Sequence, residues 1–177
     1  MKILCLTPIK HLDGIYEYLN SFGRIDYLPD SPANVIRDTV SILNYDVIFC
    51  NPNKQNYKLD KYILKHFNGT ILTASTGLNH IDIDYCNEKG IKVMSHKEDM
   101  KLLNELPSTS ELAFGLMSSM LRNIPSGFDD VKNGGWDYDK FMGHQLKGKI
   151  IGLIGYGRLG KMMETFCNAF GMTVKIH

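Results

Sequence analysis

The apolar positions of this chain change period several times. Lys2–Thr7 (KILCLT) is a short apolar run, and apolar residues in Leu12–Phe22 fall at roughly helical spacing. Ile25–Leu28 is another short run. Pro32–Leu43 then places Val35, Ile36, Val40 and Leu43 on one helical face. Asp46–Cys50 (DVIFC) is β-branched and aromatic, and the turn formers Asn51-Pro52-Asn53 bound it. Tyr57–Phe67 predicts a further helix, and Thr70–Ala74 (TILTA) a strand ending at Ser75-Thr76-Gly77. Asp82 and Asp84 are candidate N-caps of a helix that Gly90 closes, and Ile91–Met94 is a strand. Short buried strands alternating with helices predict an α/β fold, a parallel sheet wrapped by helices.

From Ser108 to Asn123 (STSELAFGLMSSMLRN) the pattern is that of one long helix. Pro107 and Ser108 open it, Glu111 stands at capping-box spacing, and Pro125 ends it. Ala113, Gly115, Ser118 and Ser119 are small, which lets another helix approach closely. Gly134-Gly135-Trp136 reads as a turn carrying the only tryptophan. Ile150–Ile154 then reads as strand, Lys161–Phe170 as helix and Met172–Ile176 as strand. Strand–helix texture thus occurs on both sides of the long helix. It predicts two domains, 1–104 and 105–177, with the boundary near Glu105.

Composition removes several function classes. With 20 basic and 19 acidic residues in 177, the formal net charge is +1, and no basic run gathers to meet a nucleic acid. No apolar stretch approaches the roughly 20 residues that span a bilayer, so no membrane partner is expected. The start, MKILCLTPIK, is too short an apolar span for a signal peptide and reads as a buried first strand. Cys5, Cys50, Cys86 and Cys167 form no CxxC pair, as expected of reduced core thiols in a cytoplasmic protein.

One motif carries chemistry. Gly155-Tyr156-Gly157-Arg158-Leu159-Gly160 matches the GxGxxG dinucleotide fingerprint in its required setting, after a strand and before a helix. Gly155 permits the tight turn, Gly157 removes the Cβ that would block a pyrophosphate, and Gly160 allows close packing of the helix. The N–H groups and partial positive charge of the helix start suit phosphate. The acidic residue that selects NAD over NADP falls about 20 residues past such a turn. Here that places it just beyond Val174-Lys175-Ile176-His177.

Leu146-Lys-Gly-Lys-Ile-Ile-Gly-Leu-Ile-Gly-Tyr-Gly-Arg-Leu-Gly160, followed by Ala169-Phe-Gly-Met-Thr-Val174, resembles the nucleotide-binding signature of the D-isomer-specific 2-hydroxyacid dehydrogenase family. The likeness is to its phosphoglycerate dehydrogenase and glyoxylate/hydroxypyruvate reductase type. Ser75-Thr-Gly-Leu-Asn-His-Ile-Asp82 resembles the family's substrate-domain turn, and Lys89–Val93 the strand entry after it. Ser110–Ala113 through Leu121–Pro125 resembles its interdomain helix, and Asn133-Gly-Gly-Trp136 the segment before its nucleotide domain.

The resemblance implies a flavodoxin-like parallel-sheet substrate domain followed by the first part of a Rossmann dinucleotide-binding domain. It implies NAD or NADP as cofactor, NAD favoured, and hydride transfer with a small 2-keto or 2-hydroxy acid. Cofactor contacts fall on Gly155, Tyr156, Gly157, Arg158, Leu159, Gly160 and, at the head of the long helix, Thr109. Thr76 and Gly77 match the turn whose amides hold the substrate carboxylate, a nest of successive N–H groups. Asn51 sits where family members place a further substrate contact, although Asn51-Pro52-Asn53 departs from the Arg-Ser type of loop expected there. Helix capping explains Thr109 equally well. The resemblance also implies a homodimer, paired through the small-residue helix and Trp136.

Hydride transfer needs a general acid/base, usually histidine with a carboxylate, and an arginine to polarise the carbonyl. In the family these follow the glycine turn at some distance. His11, His66, His80, His96, His144 and His177 all come too early, so no catalytic residue is assigned. The expectation is an N-terminal portion truncated before that segment, or else an inactive nucleotide-binding or dimerising fragment. The alternation His80, Asp82, Asp84 does not have the i, i+3 or i+4 spacing of metal ligands on a helix and is read as a capping loop, so no metal is assigned.

Overall fold

In the computed structural model, which describes residues 1–177, five four-residue strands near the start pair into one parallel sheet. They are β1 (Lys2–Cys5), β2 (Arg24–Tyr27), β3 (Val47–Cys50), β4 (Thr70–Thr73) and β5 (Lys92–Ser95). Their order is β2-β1-β3-β4-β5, the flavodoxin-like winding. Register aligns Leu4 with Ile48, Ile48 with Ile71 and Ile71 with Val93, one apolar row across the sheet. Leu4, Ile48 and Ile71 are fully buried. Each such side chain contributes about 1.5–3 kcal/mol through area removed from water.

Helices α1 (Ile15–Asn20), α2 (Ala33–Ile42) and α3 (Ile83–Lys89) connect the strands. Ile36 and Val40, one turn apart on α2, are both buried in the core. Asp82 caps α3, its carboxylate accepting from the Tyr85 amide, and Gly90 ends the helix with φ +72. The chain divides into two compact units, Met1–Leu103 and Asn104–His177, at the end of α4 (Met100–Asn104).

The helix predicted over Tyr57–Phe67 does not form. Leu59 instead makes a single parallel bridge to Ile81, donating its N–H to the His80 carbonyl at 2.8 Å. Asp60 Oδ1 then accepts from the amides of Tyr62 (3.0 Å) and Ile63 (3.1 Å), a side-chain turn that competes with a helix. One helical bond follows, Leu64 N–H to the Asp60 carbonyl, and it does not propagate. Leu59, Ile63, Leu64 and Phe67 are all buried. Their spacing records an irregular plug in the core, which periodicity alone does not separate from a helical face. At the chain start, α1 begins only at Ile15 because Gly14 adopts φ +73.

The second unit contains α5 (Ser108–Leu121), α6 (Ile124–Lys132), β6 (Ile150–Leu153), α7 (Arg158–Ala169) and β7 (Thr173–Ile176). Strands β6 and β7 are parallel and make a two-stranded sheet. Its core is small: Leu146, Cys167 and Met172, with Phe114, Met117 and Leu121 of α5 packed against them. Phe114 lies tilted against Phe170 at 4.7 Å between ring centroids and meets Phe166 edge-on at 6.0 Å.

Three local expectations are corrected here. No capping box forms at α5: Pro107 precedes the helix and no side chain caps it. Pro125 does not simply end a helix, because Asn123 turns the chain with φ 54 and Pro125 lies in the first turn of α6. Proline suits that position, where its missing N–H has no intrahelical partner to lose. Finally, α7 starts at Arg158, three residues before the predicted Lys161. No helix is long and apolar enough to cross a membrane.

Candidate functional site

In the first unit, the residues singled out for the substrate lie past the carboxyl ends of β3 and β4, where open parallel sheets place their ligands. Thr76 and Gly77 are exposed at the tip of the turn after β4. A Cβ at Gly77 would meet nothing within 4 Å, so the turn leaves open space over its backbone. Asn51 lies at the end of β3, but its carbonyl points into the fold. Asn51 Oδ1 accepts from the Ala74 amide at 3.0 Å and lies 3.3 Å from Thr73 Oγ1, tying the two strand ends together.

Beneath the tip is a polar cluster that sequence reasoning missed. Thr73 is 4% exposed and His80 8% exposed. Thr73 Oγ1 lies 3.1 Å from His80 Nε2 and 2.9 Å from Ser75 Oγ, and it accepts from the Ser75 amide at 3.3 Å. Ser75 Oγ in turn donates to the Gly77 carbonyl at 2.7 Å. Burial holds the His80 imidazole below its ordinary pKa, so the ring is neutral at neutral pH. The available signal was the spacing Thr73-x-Ser75-x-Gly77 with a histidine three residues on, which acquires meaning only once the loop is folded. Gly77 and His80 share a cavity of about 310 Å³ with Asn53, Tyr57, Lys58 and Asn79. Lys58 Nζ stands 3.8 Å from Asp82 at its rim.

In the second unit, the glycine turn joins β6 to α7. Gly155 has φ +90, donates its N–H to the His177 carbonyl at 3.0 Å, and so keeps the turn against the end of β7. A Cβ at Gly157 would meet nothing within 4 Å, whereas one at Gly160 would lie 2.6 Å from the Gly155 carbonyl oxygen. Open space above Gly157 is what a pyrophosphate requires, and the fit of this turn to a dinucleotide rests on that space. Lys161 N–H is bonded to the Gly157 carbonyl, leaving the Leu159 and Gly160 amides no intrahelical acceptor. Those amides and the helix dipole favour an anion here.

Side chains around this turn are less open than the sequence suggested. Arg158 Nη1 donates to the Leu106 carbonyl at 2.8 Å, which commits part of its guanidinium to the protein. Leu159 is half-buried, and its carbonyl accepts from the buried Ser110 hydroxyl at 3.2 Å. The Tyr156 phenol is hydrogen-bonded to the Glu164 carboxylate, which raises its pKa. Thr109 is exposed in the first turn of α5.

The geometry has recognisable relatives. Residues 6–100 match the catalytic domain of the D-isomer specific 2-hydroxyacid dehydrogenases, and residues 114–177 match the NAD binding domain of the same family. The chain belongs to this family. Hydroxypyruvate reductase of Thermotoga maritima is 38% identical over 165 residues, 93% of this chain and 47% of that protein. D-3-phosphoglycerate dehydrogenase of Methanocaldococcus jannaschii is 38% identical over 101 residues, 57% of this chain and 18% of that protein. Among solved structures, a glyoxylate reductase from Paecilomyes thermophila superposes with a TM-score of 0.78 at 23% identity, covering all of this chain and 55% of that one. The chain thus spans about half the length of the reductases it matches and less of the phosphoglycerate dehydrogenases.

Proposed function

We propose that this chain supplies the substrate turn and the dinucleotide turn of an NAD-dependent oxidoreductase acting on a small 2-keto or 2-hydroxy acid. The observation that carries this reading is the pair of exposed backbone cradles, Thr76-Gly77 and Gly155–Gly160, in a chain of this family. Amides of the first would hold the acid's carboxylate, and those of Leu159 and Gly160 the pyrophosphate. NAD, when bound, supplies the hydride acceptor or donor. Gly157 keeps the approach to the turn clear, and Gly160 holds it against Gly155. Asn51 acts in this reading by fastening β3 to β4 rather than through its carbonyl on the substrate. No acid–base residue is assigned within residues 1–177.

The helix α5 favours self-association as part of the same function. Leu112, Leu116 and Met120 are 65%, 58% and 77% exposed at successive helical turns, and Trp136 is 85% exposed. Apolar surface in a stripe of this kind marks an interaction face, and a homodimer is the partner we infer. Cytoplasmic residence, with the four thiols reduced, fits the same reading.

The test of the cofactor half is an NAD titration of the 177-residue chain, followed through the amide resonances of Gly155, Gly157 and Gly160. Selective, saturable shifts of these amides are expected, and their absence would overturn nucleotide binding at this turn. The activity is tested by NADH oxidation by the full-length gene product with glyoxylate, hydroxypyruvate, pyruvate and 3-phosphohydroxypyruvate. Turnover of at least one is expected; failure with all four counts against the substrate class.

A further inference from the structure

The proton arrangement beneath the substrate turn follows from its hydrogen bonds. A carbonyl oxygen only accepts, so the single Ser75 hydroxyl proton is spent on Gly77. The 2.9 Å contact between Ser75 Oγ and Thr73 Oγ1 must then use the Thr73 proton. The alternative, Thr73 donating to Asn51 Oδ1 at 3.3 Å, is long for a hydroxyl donor and would leave two oxygen lone pairs facing each other. With its proton given to Ser75, Thr73 Oγ1 can only accept from His80 Nε2. The imidazole is therefore the Nε2–H tautomer and Nδ1 carries the bare lone pair. Nδ1 is buried with no hydrogen-bond partner, so no protein acceptor competes for a proton there.

The result is a directed chain: His80 Nε2–H to Thr73, Thr73 to Ser75, Ser75 to the Gly77 carbonyl. Its first two members are buried, and its last is the backbone of the exposed tip. Fixing the Gly77 carbonyl fixes the plane of the Gly77–Leu78 peptide, and with it the direction of the Leu78 N–H. Gly77 has no side chain to hold that plane and nothing within 4 Å of its Cβ position. Something else must hold it, because glycine otherwise has wide conformational freedom.

We propose that Thr73 and His80 are positioning residues for the carboxylate turn, acting through Ser75 to preset the Leu78 N–H beside Thr76-Gly77 before substrate arrives. This rests on reading Thr76-Gly77 as the carboxylate turn. Presetting matters because each rotor ordered only on binding subtracts from affinity. The chain is polarised in one sense, so a hydroxyl at position 73 is what the relay needs, and its methyl group is not.

The experiment uses the ¹⁵N-labelled 177-residue chain, with oxamate as carboxylate probe. In the wild-type chain, oxamate should shift the Thr76, Gly77 and Leu78 amides, and the His80 ring nitrogens should report a single Nε2–H tautomer. Thr73→Val keeps the shape and deletes the hydroxyl. It should weaken oxamate about tenfold, the order expected for one buried hydrogen bond, and mix the His80 tautomers. Thr73→Ser should restore both. Should Thr73→Val fail to fold, Ser75→Ala breaks the last link at a half-buried position; it should weaken oxamate and, by freeing the Thr73 proton, also mix the His80 tautomers. Wild-type affinity in folded Thr73→Val or Ser75→Ala would overturn the positioning role while leaving the carboxylate turn standing. No oxamate shift at these amides in the wild-type chain would overturn the carboxylate reading, and this proposal with it.

Discussion

A methyl group on Gly160 would lie 2.6 Å from the carbonyl oxygen of Gly155, while one on Gly157 would meet no atom within 4 Å. The two glycines therefore answer to different demands. Gly160 is needed by the fold, because the turn's own backbone fills the space. Gly157 is needed by whatever occupies the open side.

Gly160→Ala should destabilise the second unit by about 1–3 kcal/mol, since backbone must shift to admit the methyl. Gly157→Ala sits in an extended conformation open to alanine, and should change stability by no more than about 0.5 kcal/mol. It should nevertheless weaken NAD by about tenfold or more through the lost close approach. Denaturant melts and NAD titrations on both variants separate the roles. An unchanged NAD affinity in Gly157→Ala would remove the pyrophosphate from this turn.

His80 makes the first unit acid-sensitive. In the unfolded chain a histidine takes its proton near pH 6.5, but the buried ring takes it only at lower pH. Between those two values the unfolded state holds more protons, so stability rises with pH across that window. Full stability is expected above the ordinary histidine range. It should fall as pH drops through about 6.5, with a slope from this residue of at most ~1.4 kcal/mol per pH unit. Urea unfolding at several pH values, compared with His80→Asn, checks the sign. A wild-type chain that gains stability on acidification relative to His80→Asn would contradict it.

All four thiols are free and buried. Burial raises every one of them, Cys50 to about 12 with the neighbouring Cys86 adding to the shift, and Cys86 to about 11. The thiolate is the reactive form. A thiol reagent at neutral pH should therefore modify the native chain slowly, at the rate of local opening, and all four sites promptly in denaturant. Fast labelling of Cys50 in the folded chain would show that its burial is not maintained in solution.

The exposed Leu112–Leu116–Met120 stripe predicts a concentration-dependent dimer in sedimentation. Leu116→Glu places a charge in that face without touching a buried group, so the monomer should fold as before and the dimer should dissociate at least tenfold more readily. Equal association of the variant and the wild-type chain would place self-association elsewhere.

Much of this was legible in the amino-acid order because it is decided locally. Strand and helix alternation, the Asp82 and Gly90 caps and the Gly155–Gly160 turn depend on side chains within a few residues of one another, and strand limits fall within a residue or two of the predicted ones. Tyr57–Phe67 misled for a physical reason. Its apolar spacing reports that Leu59, Ile63, Leu64 and Phe67 are buried, and burial does not require a helix when Asp60 turns the chain and Ile81 pairs with Leu59.

Pro125 was equally ambiguous, since proline breaks one helix and starts another by the same missing N–H. What only the tertiary structure decided is the support beneath the candidate site. Arg158, chosen for its charge, spends part of it on Leu106, and His80, set aside as a loop residue, becomes the buried head of a relay to Gly77. The order of residues determined which backbones could bend to receive a ligand. Only folding determined which side chains hold them there, because a hydrogen bond exists only where donor and acceptor are brought within about 3 Å.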